Sequence, residues 1–222
     1  MWYKNERAPL TKISPPKKDA PAAAKRRGRP RAYEPDVALG KALDLFRKEG
    51  FAATSLDDLS AATGMNRPSL YGAFGDKRAL YIKSYQRYRD DARAAMRNIF
   101  RDEMPIRKRL ARIYAVALDI YLSGETPRGC FTVMTAASEA VSDPEIRAMV
   151  FEGFVELDKA FAACFRHAKE RGEIAAGADP VVLSQLASAT MHTIAIRARA
   201  GVARKELEAI VKGAMDVLVG TA

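Results

Sequence analysis

Cysteine and histidine are nearly missing from this sequence, with two of each in 222 residues. Cys130 and Cys164 do not make a disulfide framework, and such sparing use fits a reducing compartment. Cys130, at a helix start, has no second cysteine nearby in sequence and is not read as a redox sensor. His167 and His192 stand in no catalytic signature. Cys164 and His167 share a helix face, but two donors on one helix do not make a zinc site, so the pair reads as packing or surface and no metal is expected. No glycine-rich phosphate loop occurs, no cofactor is expected, and enzyme chemistry is disfavoured. Long apolar runs are missing too. The nearest, Val181 to Ile196, is interrupted by Ser184, Gln185 and His192, short of the roughly 18 residues a membrane span needs. The opening MWYKNERAPL lacks the apolar core of a signal peptide. These absences predict a soluble, cytoplasmic protein with no membrane partner.

Positive charge, by contrast, is plentiful but uneven. Of the formal +10, residues 1–34 hold 10 Lys/Arg against 3 Asp/Glu, whereas residues 35–83 hold 7 against 6 and residues 84–222 hold 20 against 18. Three segments follow: a basic arm over 1–34, expected to be disordered, and two folded regions over 35–83 and 84–222. Within the arm, Arg27-Gly28-Arg29-Pro30-Arg31 is similar to an AT-hook. Pro30 keeps the chain extended, Gly28 permits close approach to the groove floor, and Arg27, Arg29 and Arg31 suit the negative potential of a narrow A·T minor groove.

The stretch Thr54 to Tyr81 organises the rest. Ser55-x-x-Asp58 is a capping box, Leu56, Leu59 and Ala62 recur at helical spacing, and Gly64 stands where a helix closes in the left-handed region. Asn66 caps a second short helix, Arg67 to Phe74, with Pro68 in its first turn; Gly75 ends it and Asp76 caps a long third one. A preceding helix over about Asp36 to Glu49 carries Leu39, Leu43 and Phe46, with Phe51 packing beneath the unit. Two short helices joined by a tight glycine turn form the motif that lays its second helix in a DNA major groove.

This order of residues, Gly64 followed by Tyr71, Phe74, Lys77 and Leu80, resembles the DNA-binding domain of the TetR (tetracycline repressor) family over roughly Pro35 to Tyr85. The groove-facing candidates are Arg67, Pro68, Ser69 and Gly72, with Asn66 at the helix start. Arg67 is the one able to grip guanine bidentately. Thr54 suits a phosphate oxygen through its hydroxyl and neighbouring N–H groups. The resemblance implies that Tyr71 and Lys77 hold the DNA backbone, and that the partner is double-stranded DNA bound as an inverted repeat by a homodimer.

Residues 84–222 show helices and no convincing strands, so the fold class is all-α with about nine helices. Tyr81, Tyr85, Tyr88, Ala92, Ala95 and Ile99 form one stripe. Helices follow over about Pro105–Leu122, Cys130–Val141, Asp143 to Gly172, from Asp179, and from Ala203 to Val219. The last two present Leu183, Ala187, Met191 and Ile194, and Leu207, Ile210, Ala214, Val217 and Leu218. The resemblance implies a four-helix dimer interface there and a small-molecule effector among the preceding helices. Tyr114, Leu118, Tyr121, Phe131, Met134, Phe151 and Met191 are the candidate lining, and few charges on inward faces point to an apolar or aromatic effector. The function implied is a ligand-responsive transcriptional repressor. The alternative is an architectural A·T-rich DNA-binding protein that relies on the basic arm.

Overall fold

Each capping residue in the first third of the chain sits on the helix end that its chemistry suits. The computed structural model describes residues 34–221, so the arm with Arg27, Arg29 and Arg31 lies outside the described residues. Four helices come first: α1 (Pro35–Glu49), α2 (Leu56–Thr63), α3 (Arg67–Phe74) and α4 (Lys77–Arg101). Ser55 Oγ accepts from Asp58 N at 3.1 Å while Asp58 Oδ2 accepts from Ser55 N at 2.8 Å, which closes the capping box. Asn66 Oδ1 takes the N–H of Ser69 at 2.9 Å and Asp76 Oδ1 that of Ala79 at 2.7 Å. Gly64 has φ 73°, a left-handed value that a side chain would make costly, and it turns the chain sharply between α2 and α3.

The body comprises α5 (Ile106–Tyr121), α6 (Phe131–Ala137), α7 (Glu139–Ser142), α8 (Pro144–Glu170), α9 (Pro180–Arg199) and α10 (Arg204–Val219), and no strand occurs among the described residues. There are ten helices among these residues, not nine, because the helix expected from Cys130 to Val141 breaks at Ser138. The Ser138 hydroxyl donates back to the Met134 carbonyl at 2.9 Å, and the Glu139 carboxylate accepts from the Tyr81 hydroxyl at 2.8 Å. The second of these bonds ties the break to α4. α8 packs along α9 and α9 along α10, with α5 against all three.

An aromatic chain joins the two halves. Phe46 of α1 and Phe51 each meet the edge of Tyr81 at 5.1 Å, and Tyr81 meets Phe131 at 5.3 Å. Tyr85 and Tyr88 close on the same Phe131 ring at 5.9 and 5.8 Å. Such pairs add about 0.5–1.5 kcal/mol each beyond their burial. The α4 stripe holds for its tyrosines but then shifts: Ala95 is exposed and Met96 is the buried residue.

A buried arginine reinforces this junction. Arg47, near the end of α1, sends its guanidinium into the body and donates to the carbonyls of Ile120 at 3.0 Å and Gly129 at 3.2 Å, with the Tyr88 ring 5.2 Å away. Burial pushes its pKa down from the ordinary value, yet a guanidinium keeps its charge. From the far side, Arg199 at the end of α9 donates to the carbonyls of Arg47 at 2.9 Å and Lys48 at 3.1 Å. Gly129 has φ 64° and lies so close to α9 that a Cβ there would meet the Ala195 carbonyl at 2.8 Å. Here only glycine fits.

Candidate DNA-reading face and effector cavity

Periodicity decides how α3 is presented. Leu70 and Phe74 are buried, so the opposite side, Arg67, Pro68, Tyr71 and Gly72, is exposed, with Asn66 beside it and Ser69 half-buried. Tyr71 is 49% exposed, unusual for a ring of its size and suited to lying against a sugar-phosphate backbone. Arg67 is held by Asp57 of α2, whose Oδ1 accepts from Nε at 3.0 Å and Nη2 at 2.7 Å. Both partners are exposed, so this pair is weak and exchangeable. Lys77 opens α4 with its ammonium 4.3 Å from the Phe51 ring centre, which fixes where the charge stands without consuming its N–H donors.

Thr54 departs from expectation. It is buried, and its hydroxyl donates to the Gly50 carbonyl at 2.6 Å, closing the end of α1. The side chain is therefore not presented to a phosphate. A hydroxyl in a loop can turn inward or outward, and an unpaired carbonyl at the α1 terminus draws this one in.

The cavity lies between α4 and α8, about 480 Å³ in volume, with its inner wall completed by α5 and α9. Of the seven candidate lining residues only Tyr121 and Met191 reach it. Tyr114 is buried with its hydroxyl on the Ala187 carbonyl at 3.0 Å, and Leu118 is core. Phe131 is the aromatic hub already described, Met134 is half-buried away from the cavity, and Phe151 stands 66% exposed on the outside of α8. The apolar floor instead comes from Met96, Phe100, Ile120, Phe154 and Leu157. His192 also faces the cavity, its ring 4.9 Å from that of Phe154, and burial holds its pKa below the ordinary value.

The expectation of few inward charges fails as well. Arg89, Arg93, Arg97 and Arg101 recur on every fourth residue of α4 and border the cavity together with Glu156 and Lys159 of α8. The sequence carries this signal as an unbroken i, i+4 arginine ladder.

On the outer side of the body, α9 turns Val182, Leu186, Ala189, Thr193 and Ile196 to solvent at alternating steps of four and three. Beside them, Ile210, Ala214 and Val217 of α10 complete a shallow apolar groove. The α9 face read from the sequence is the wrong one: Ala187, Met191 and Ile194 are buried within the chain, as are Leu207 and Leu218 of α10. α9 is apolar on both sides, so periodicity alone could not assign them.

Residues 38–83 match the family described as bacterial regulatory proteins, tetR family, and residues 107–214 match the tetracyclin repressor-like C-terminal domain. The HTH-type transcriptional repressor ComR of Escherichia coli strain K12 is 30% identical over 184 residues, covering 82% of this chain and 88% of its own. The chain belongs to the TetR family. Another relative, the repressor BdcR of the same organism, is 32% identical over 120 residues, which is 54% of this chain and 59% of BdcR. Among solved structures, a cysteine mutant of the TetR family regulator CifR, complexed with 26-bp double-strand operator DNA, superposes with a TM-score of 0.76 at 28% identity, over 85% of this chain and 98% of that one. This TetR-family chain is thus a DNA-binding transcriptional regulator, and its relatives are regulators rather than enzymes. No described helix is long and apolar enough to cross a membrane.

Proposed function

We propose that this chain is a repressor that binds an inverted-repeat operator as a homodimer in the cytoplasm and is released by a small effector with an apolar or aromatic body. α3 supplies the base-reading face through Arg67, Pro68, Ser69 and Gly72; Tyr71 and Lys77 hold phosphates, and the basic arm with Arg27, Arg29 and Arg31 adds a minor-groove contact. The observation that carries the reading is α4: one unbroken helix begins at Lys77, beside the DNA-reading face, and ends as a wall of the cavity. Whatever fills the cavity acts on the element that positions α3. The exposed α9 and α10 groove supports pairing with a second copy, which supplies the other half-site. A coupling of about 1–3 kcal/mol, the usual range, corresponds to roughly 5- to 150-fold weaker operator binding when effector is present.

The test is selection of bound sequences from random DNA, then a compound screen for release of the best one. An inverted repeat with half-site centres about one helical turn apart is the expected product. Scattered A·T tracts in place of one protected palindrome would favour the architectural role and remove this reading. Raised transcription on operator binding would make the protein an activator.

A further inference from the structure

The cavity is unbalanced in charge. Five cations border it, Arg89, Arg93, Arg97, Arg101 and Lys159, against one acid, Glu156. Glu156 is already engaged twice, accepting from Arg89 at 2.8 Å and Arg93 at 2.7 Å. Arg89 is further held by the Met149 carbonyl at 3.1 Å. Arg97, Arg101 and Lys159 have no acid within salt-bridge distance among the described residues. Three unpaired cations thus border a cavity whose floor is Met96, Phe100, Phe154 and Leu157.

Resting on the effector reading above, we infer that the effector is an amphiphilic anion, with an alkyl or aryl body on that floor and a carboxylate at the Arg97, Arg101 and Lys159 border. The chemistry is direct. An apolar body gains about 25 cal/mol for each Å² it removes from water, without regard to charge. A carboxylate adds charge-assisted hydrogen bonds, which a guanidinium makes in bidentate form, from exposed cations at the cavity's border. A neutral analogue forgoes that gain, and a cation meets repulsion from both α4 and α8. The charge preference is therefore built into α4 and α8 independently of body shape.

The test uses the full-length protein and two matched sets: decanoate with 1-decanol and decylammonium, and 2-naphthoate with 2-naphthalenemethanol. Affinities come from calorimetry at low salt, with thermal melting as a second readout. Decanoate or 2-naphthoate is expected to bind at least tenfold tighter than its neutral partner. In R97Q/K159Q that advantage should vanish while affinity for the neutral partner stays. Phe154→Ala should weaken acid and alcohol alike. Equal binding of acid and alcohol, or tightest binding of decylammonium, overturns the anionic class but leaves effector release standing. No binding by either set also overturns it. Effector release is judged separately by the operator-release screen, so the two can fail independently.

Discussion

Lys77 and Arg67 are the two folded-region cations proposed to touch DNA, and they are held in different ways. Lys77 rests over the Phe51 ring and needs no partner to keep its position. Lys77→Ala should weaken binding to every DNA sequence alike and lower the slope of log affinity against log salt by about one; a salt titration with operator and random DNA checks both. Arg67 has to leave Asp57 before it can reach a base edge. Arg67→Ala should relax one position of each half-site, a loss of about 1–3 kcal/mol for operator over mismatch, read by repeating the sequence selection. An unaltered consensus would place Arg67 on the backbone or on nothing. At this scale the sequence was informative wherever helical spacing applied: Leu70 and Phe74 had to turn in, so Arg67, Pro68 and Tyr71 had to turn out. Thr54 had no such constraint. Its direction depends on which carbonyl lies nearby, and that is a property of the folded loop.

Among the elements, α3 and α9 show opposite degrees of legibility. α3 is amphipathic, so a single face could be core, and its N-cap Asn66 and the closing Gly75 fix its ends. α9 carries apolar residues around most of its circumference, and choosing the outward face requires knowing where α5, α8 and α10 lie. The cavity failed for a related reason. Large aromatics such as Tyr114 and Phe131 fill space and go to the core, whereas the residues facing the cavity run along the second half of α4 and the middle of α8. With the faces now assigned, Leu186→Glu should convert dimers to monomers in sedimentation velocity, because it places a charge in the middle of the α9 and α10 groove. Ala187→Glu, one residue on, should unfold the chain instead, since that side is fully buried. Dimers that persist in Leu186→Glu would move the interface elsewhere.

For the molecule as a whole, the junctions between its first four helices and its body are the route by which the proposed sites would communicate. One junction is titratable. Arg78 of α4 donates to both Asp143 oxygens, at 2.6 and 3.0 Å, and to Glu145 at 2.6 Å, so the start of α8 is tied to the helix that follows the reading element. The Arg78 hydrogen bond holds the Asp143 carboxyl down at about 2. With the folded value below the ordinary unfolded one near 3.9, the stabilisation is present above about pH 4 and is lost as pH falls towards 2. Asp143→Asn keeps a capping side chain but should flatten that acid limb in urea melts taken across pH. A second junction is Arg47, whose guanidinium is bonded to carbonyls of α5 and of the loop that follows it, beside the cavity. Arg47→Met should fill similar space while freeing the Ile120 and Gly129 carbonyls. We expect it to keep operator binding but shrink the effector's influence on it, as measured by operator affinity with and without ligand.

The unbroken run of α4 has a mechanical consequence. Its 25 residues make a rod roughly 38 Å long at 1.5 Å per residue. Pivoted in its first half, where Tyr81, Tyr85 and Tyr88 grip Phe131, such a rod would act as an unequal lever: a tilt of about five degrees carries the Lys77 end about 1 Å and the Arg101 end about 2 Å in opposite directions. On the proposed reading, a guest that wedges the Arg101 end outward by about 2 Å would swing Lys77 by about half as much. In the proposed dimer both levers would swing, and the summed displacement of about 2 Å would spoil hydrogen bonds at two half-sites held by one rigid duplex.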